Sequence, residues 1–281
     1  MIRCEKGLRM TKVKVIKGLV FFCIIIMLIH VAHALTLDRI VQYREITFSS
    51  PRIPESMDGY RIAFVTDTHE ISETRLRGIV DRLNDLRIDL LLLGGDFSYG
   101  SMFSGDDPDE PRRTMEALAQ VITTDGIFGV YGNHDYLQVL SRDMEDNGIK
   151  LLQNSGLHVR ENFYLGGVSG RSPSVYGAMR GSGPDDFSLL MAHVPDVSMR
   201  QDTLGVDLIL SGHTHGGQVT FFGLWAPVLS VNYVTHYGQR FRSGWAYSRD
   251  GVPVFVSNGA GEYVPRVFAR PQVIIFTLTA E

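Results

Sequence analysis

From residue 60 onward, short apolar runs alternate with segments whose apolar residues recur every three or four positions. YRIAFVTD (60–67) and IDLLLLGGD (88–96) each read as a buried strand that ends on an aspartate. Between them, ISETRLRGIVDRLNDLR (71–87) sets Leu76, Ile79, Val80, Leu83 and Leu86 at helical spacing. PRRTMEALAQVI (111–122) predicts a second helix, with proline in its first turn and Met115, Leu118 and Ile122 on one face. GIFGVYGNHD (126–135) predicts a third strand with a polar end, and YLQVLSRDMEDNG a helix closing at Gly148. After it the pattern turns strand-rich: IKLLQN, NFYLGGVSG, FSLLMAH, VDLILSGHTH, VPVFVSNG and QVIIFTLT. The Gly/Ser/Pro-rich GRSPSVYGAMRGSGPDD (170–186) reads as a surface excursion rather than a domain boundary.

An α/β first half followed by a strand-rich second half predicts an α/β fold of two packed sheets with helices outside, over residues 60–281. Residues 36–59 read as a tether entering an edge strand, since VQYREITF alternates and SSPRIPESMDG is turn-forming. Residues 1–35 differ: a basic stretch precedes GLVFFCIIIMLIHVAHAL (18–35), apolar apart from His30 and His33. Two readings stand side by side. The run is a membrane anchor near the short end of the spanning range, or a signal peptide cleaved after AHA at 32–34. Either way the basic end stays cytoplasmic, and the main domain is expected on the extracytoplasmic side.

Composition changes this picture little: 44% hydrophobic and 21% charged residues are ordinary for a globular chain of 281. The charge is less even. Residues 1–17 carry a net +5, which leaves −9 for the rest of a chain whose formal charge is −4. An acidic main domain is a poor match for phosphate backbones, so no nucleic-acid partner is expected. Both cysteines, Cys4 and Cys23, lie in the N-terminal segment, so the main domain has no disulfide, thiolate site or cysteine nucleophile.

The polar residues at the strand ends are the chemistry. In order they are Asp67 and His69 (DTH), Asp96 (GGD), Asn133, His134 and Asp135 (GNHD), His193 (AH), and His213 and His215 (GHTH). Five of the nine histidines belong to this set. All are nitrogen or oxygen donors of the kind that suits Mn²⁺, Zn²⁺ or Fe. In extended chain, residues two apart face the same way, so each D-x-H or H-x-H pair is expected to aim two donors into one pocket. In open α/β sheets, ligands bind at the strands' carboxyl ends, where these residues fall.

The ordered set D-x-H, G-D, G-N-H-D, H and G-H-x-H resembles the calcineurin-like metallophosphoesterase superfamily, from residue 60 to about 276. With the apolar N-terminus, GHTHGGQ and VFARPQVIIFTL, it looks most like the branch of membrane-associated or exported bacterial phosphodiesterases. The resemblance implies a four-layer α/β/β/α sandwich of two mixed sheets and a binuclear centre holding two divalent metal ions. It implies that Asp67, His69 and His215 hold one ion, that Asn133, His193 and His213 hold the other, and that Asp96 bridges them. His134 is implied to act at the leaving group, oriented by Asp135, while a metal-activated hydroxide attacks phosphorus.

Three departures from the family pattern stand out: Glu70 after His69, Tyr99 where many relatives carry aspartate, and Asn258 where this branch often has arginine. Arg266 is a candidate replacement for that arginine. The aromatic-rich segment 221–247, which includes His236, reads as strand core plus loop or as an apolar lip facing a bilayer. The expected activity is hydrolysis of a phosphodiester or pyrophosphate, including a lipid-linked one. A phosphomonoesterase of proteins or nucleotides and a catalytically idle metal-binding scaffold are the alternatives.

Overall fold

Period-two alternation inside the apolar strands sets the layering. The computed structural model describes residues 2–69, 71–97, 109–231 and 234–281, with side chains from residue 13 onward. Glu70 and Tyr99 lie outside the described residues. The first sheet contains β1 (Gln42–Ser50), β2 (Arg61–Val65), β3 (Leu90–Leu93), β4 (Ile127–Gly129), β5 (Lys150–Leu151) and β12 (Gln272–Ala280), in the order β1-β12-β2-β3-β4-β5. The second contains β6 (Ser155–Arg160), β7 (Phe163–Gly167), β8 (Phe187–Met191), β9 (Leu208–Ser211), β10 (Gly244–Tyr247) and β11 (Pro253–Val256), in the order β10-β11-β9-β8-β7-β6. Both are mixed: β12 runs antiparallel to β2 while β2, β3 and β4 are parallel, and β6 and β10 are antiparallel to their neighbours.

Alternate residues of one strand enter different cores. Ile62, Phe64, Leu90 and Leu92 pack between the sheets against Phe163, Leu189, Leu210 and Phe255. Their neighbours Ala63, Val65, Leu91 and Leu93 face the helices α2 (Glu73–Leu86), α3 (Glu110–Leu118) and α4 (Leu137–Asp146). On the far side, Leu190, Ile209 and Val254 pack against Val175 of α5 (Val175–Met179) and Val197 of α6 (Val197–Arg200). The result is four layers, α/β/β/α. A strand buried on both faces has no polar side, which is why β3 is an uninterrupted run of leucines.

Three local expectations are corrected. Ile122 does not share the helix face of Met115 and Leu118, because α3 ends at Leu118 and the chain tightens through Val121 N–H to Leu118 O. Ile122 is 76% exposed and Val121 takes the buried place. Segment 170–186, read as a surface excursion, contains α5, whose N-cap Ser174 accepts from Gly177 N–H. The aromatic segment contributes one strand, β10, at the sheet edge.

At the N-terminus, α1 (Ile2–Leu35) is continuous, and residues 13–39 are long and apolar enough to cross a membrane, with none of the span buried. Its last turns meet the domain. The His33 ring stacks on Phe268 at 3.9 Å and the His30 ring lies 4.5 Å from Phe222. Asp38, just beyond, is buried and accepts from His33 Nδ1 and from the backbone N–H groups of Phe268 and Ala269.

Candidate metal centre

The ends of β2, β3, β4, β8 and β9 converge at one edge of the two sheets, and the structure sorts the predicted residues there into two groups. Asp67, His69 and His215 form one, and Asp96, His193 and His213 the other; within each, the donor atoms lie within 4.8 Å of one another. Asp96 lies between them, with Oδ2 3.0 Å from His193 Nε2 and 3.4 Å from His69 Nε2. Asn133 follows β4, and its Oδ1 is buried with no hydrogen-bond partner among the described residues.

The backbone that presents these groups is strained. Asp67, Asp96, His213 and His215 have φ of 50°, 57°, 70° and 50°. Non-glycine residues rarely occupy that region, at a cost of order 1 kcal/mol or more each, and such strain collects at functional sites. Asp67 and His69 share one group, as their spacing predicts, although the backbone there is not extended. Asp67 and His213 leave their strands in tight left-handed turns, and His213 and His215 go to different groups.

Surrounding contacts fix which nitrogen each imidazole presents. His193 Nδ1 bonds Gly94 O at 2.9 Å, leaving Nε2 toward Asp96. His213 uses Nε2 on Val234 O at 2.9 Å, which leaves Nδ1 for the site. His215 Nδ1 meets Gln218 Oε1 at 3.1 Å, and the Gln218 amide is held by Tyr263 O. Such second partners orient metal-binding imidazoles. Gln218 closes the GHTHGGQ stretch and is not among the residues that the motifs single out. Its φ of 59° and a preceding pair of glycines are the signals that set it apart.

Asp135 is buried and its carboxylate accepts three backbone N–H groups, those of Asp96, Phe97 and Gly132, each at 2.8 Å. It therefore ties the GGD turn to the GNHD turn. Burial pushes its pKa up, with Asp96 adding to the rise and the backbone donors opposing it. His134 is exposed, its backbone N–H donates to Asp96 Oδ1, and its ring lies 5.4 Å from that of His69. Its pKa is lowered by burial of the ring's inner side and by the charges of His69 and His193, against the pull of Asp96.

His236 belongs to neither donor group, and Asn258 packs against Gly216 behind His215. His236 is held through its backbone N–H by the buried Asp196, and Asn258 donates to Arg270 O. Arg266 is 3% exposed and its Nη1 donates to Asn258 O and Ala269 O, so it lies beneath the surface rather than at the cluster's open side.

The donor set fits two divalent cations. Two buried carboxylates, four imidazoles and one amide oxygen are hard-to-borderline ligands, and the unpartnered Asn133 Oδ1 is an acceptor that a cation would satisfy. Without cations, protons take their place. Burial lowers the His193 pKa, but the attraction and hydrogen bond of Asp96, with Asp67 behind, raise it overall to about 10. His213, buried beside that charge, falls to about 4. Asp96 is held well below the carboxylate range, because His193 and His69 outweigh its burial.

Metal binding at neutral pH must therefore expel at least the His193 proton, since only neutral imidazole coordinates. Titrating Mn²⁺ into chelator-stripped protein at pH 7, in two buffers of different ionisation enthalpy, is expected to show net proton release. Affinity should fall about tenfold per unit as the pH is lowered. Equal heats in both buffers would contradict the protonated His193.

A sequence profile of the calcineurin-like phosphoesterase family matches residues 60–217, more than half of the chain, and the chain belongs to that family. It is thereby a metal-dependent phosphoester hydrolase. Among its relatives, the uncharacterised metallophosphoesterase YkuE of Bacillus subtilis is 26% identical over 259 residues, covering 85% of each chain. YkoQ of the same organism is 29% identical over 211 residues, 67% of this chain and 72% of its own. A transmembrane protein with metallophosphoesterase domain from Danio rerio is 27% identical over 252 residues. That match covers 79% of this chain, which spans just over half, 54%, of the fish protein. The apolar α1 and the transmembrane relatives fit membrane anchoring.

Proposed function

We propose that the chain hydrolyses a phosphodiester or pyrophosphate, with one ion held by Asp67, His69 and His215 and a second by Asn133, His193 and His213, Asp96 being shared. The observation that carries this reading is the meeting of the two donor groups at one carboxylate. When bound, a pair of divalent ions supplies Lewis acidity toward phosphoryl oxygens and lowers the pKa of a water between them. His134, neutral at pH 7 because its pKa is lowered, offers a ring N–H to the departing oxygen rather than a full positive charge. Asp135 holds the two turns that carry Asp96 and His134 at a fixed separation.

The diester or pyrophosphate, lipid-linked, is favoured over a soluble monoester by what surrounds the site. Gln218, bonded to His215, leads into a segment where Phe221 (51%), Leu224 (76%) and Trp225 (48%) are exposed. The Phe221 and Phe222 rings also contact His30 of α1. Apolar side chains around the site and beside a membrane-spanning helix suit a substrate whose tail stays in the bilayer. The basic residues in the first half of α1, ahead of its apolar run, favour the extracytoplasmic side for the domain in this reading.

The test is Mn²⁺-dependent hydrolysis of bis(p-nitrophenyl) phosphate against p-nitrophenyl phosphate by the full chain. Diester cleavage should be preferred and stop on chelation. His134→Ala should lower kcat by about 10²-fold or more with bound metal unchanged. Preference for the monoester would favour the phosphomonoesterase reading, and metals bound without turnover of either the idle scaffold.

A further inference from the structure

A second concavity, of about 240 Å³, lies beside the end of α1 and behind the His213–Gly217 turn. Its walls are donors. Arg44 at the start of β1, Arg242, and Arg270 before β12 line it together with His33 and Gln272. None of the three arginines has a carboxylate partner among the described residues, unlike Arg52, Arg75 and Arg160, which pair with Asp207, Glu262 and Asp125. The carboxylate in this region, Asp38, is already taken up by His33 and two backbone N–H groups.

Two of the residues that line it, Gln272 and Arg270, carry a buried donor without a hydrogen-bond partner among the described residues. Gln272 is 2% exposed, yet its Nε2 has no hydrogen-bond partner among the described residues, and the same holds for the buried Nε of Arg270. A buried amide N–H costs about 1–3 kcal/mol when unsatisfied. Of the three guanidiniums, that of Arg44 lies over the Phe255 ring and that of Arg270 reaches Ile40 O, so each has a neutral neighbour and no counter-charge. Such a pocket is built for an anion with several acceptor oxygens, and guanidinium forks match phosphate.

Its place in the molecule says where that phosphate comes from. His33 occupies the last turn of α1, and Phe268, which stacks on it, lines the same pocket. A helix spanning from residue 13 puts its last turn at the depth of the lipid headgroups. Basic pockets at that depth take anionic headgroups.

The geometry points to a binding site for a phosphate-bearing anion, an anionic phospholipid headgroup, formed by Arg44, Arg242, Arg270 and Gln272 and separate from the metal centre. This rests on α1 remaining attached to the domain and not on the identity of the substrate. Occupancy would hold the domain against the bilayer. Because Arg242 packs near Gly217 and Asn258 near Gly216, it would also brace the metal-bearing turn from behind.

The test uses the full chain in neutral detergent, dihexanoyl-phosphatidylglycerol as probe, and native mass spectrometry to count adducts. One adduct is expected that persists in Asp96→Asn, since it does not use the metal centre. It should weaken about tenfold or more in Arg44→Gln/Arg270→Gln and by less in Arg44→Lys, which keeps the charge but not the fork. Dihexanoyl-phosphatidylcholine should bind about tenfold more weakly. Displacement by inorganic phosphate at equal concentration would uphold the anion site and assign it to the free ion. An adduct indifferent to the arginines, or lost in Asp96→Asn, would overturn the proposal. Should the double variant fail to fold, Arg44→Gln alone, on an edge strand, decides between these outcomes.

Discussion

Asp96→Asn is expected to reduce turnover by on the order of 10³-fold or more and to cost the protein at least one of its two metal ions. Among the described residues Asp96 is the carboxylate that faces both donor groups, with His69 on one side of Oδ2 and His193 on the other. The substitution keeps the side chain's shape. It also keeps the backbone N–H that Asp135 holds, and Oδ1 can still accept from His134 N–H. What it removes is the negative charge that lets two cations approach each other. The measurement is metal content beside kcat/KM, with circular dichroism as the control for folding. Two ions retained with near-normal turnover would mean that Asp96 is not shared.

Gly132→Ala should disable the site without touching a donor. A Cβ there would lie 2.0 Å from Asp96 Oδ1 and 2.6 Å from its Cγ, with the Asp96 backbone nitrogen at 2.7 Å. Neither group can move far, because Asp135 pins the Asp96 backbone and the neighbouring imidazoles confine its carboxylate. Overpacking of this kind costs about 1–3 kcal/mol. A carboxylate displaced by even 1 Å lowers activity by about 10²-fold. Gly78→Ala is the control. It lies within α2, nothing stands within 4 Å of its added Cβ, and helix propensity should make it neutral or up to about 1 kcal/mol stabilising. Thermal unfolding and diester hydrolysis of both variants separate the two cases. Full activity in Gly132→Ala would show that the turn can relax.

How much of this was legible beforehand follows from which forces act locally. β2 and β3 could be read because strands buried on both faces must be apolar throughout, and the aspartates that end them mark where the backbone leaves the sheet. Pro111 marked the start of α3, but its end could not be read. The turn at Leu118 depends on packing, and nothing in the spacing of Ile122 reveals it. β6 is a partly exposed edge strand with a weak alternating pattern, so its existence rests on the neighbour it pairs with. At the site, residue types and order single out Asp67, His69, Asp96, His193, His213 and His215, which the fold brings into two donor groups. The left-handed turns were not legible, because non-glycine residues hold those angles only under tertiary constraint. The three-donor cradle of Asp135 was hidden for the same reason. Backbone groups from residues 96, 97 and 132 meet it only in the folded chain.

The pairing of β1 with β12 bears on how the domain is made. Gln42 lies opposite Gln272 and the two strands run parallel for nine residues, with β12 inserted between β1 and β2. An interior strand of the first sheet thus follows every other described strand in the chain. While the ribosome is still extending the chain, β1 has no partner to pair with and the sheet is split. Native closure of this sheet must wait for residues 272–280, through contacts of very high sequence separation. Until those residues are made, β2 keeps an unpaired edge of backbone donors and acceptors, the kind of edge that invites wrong pairing.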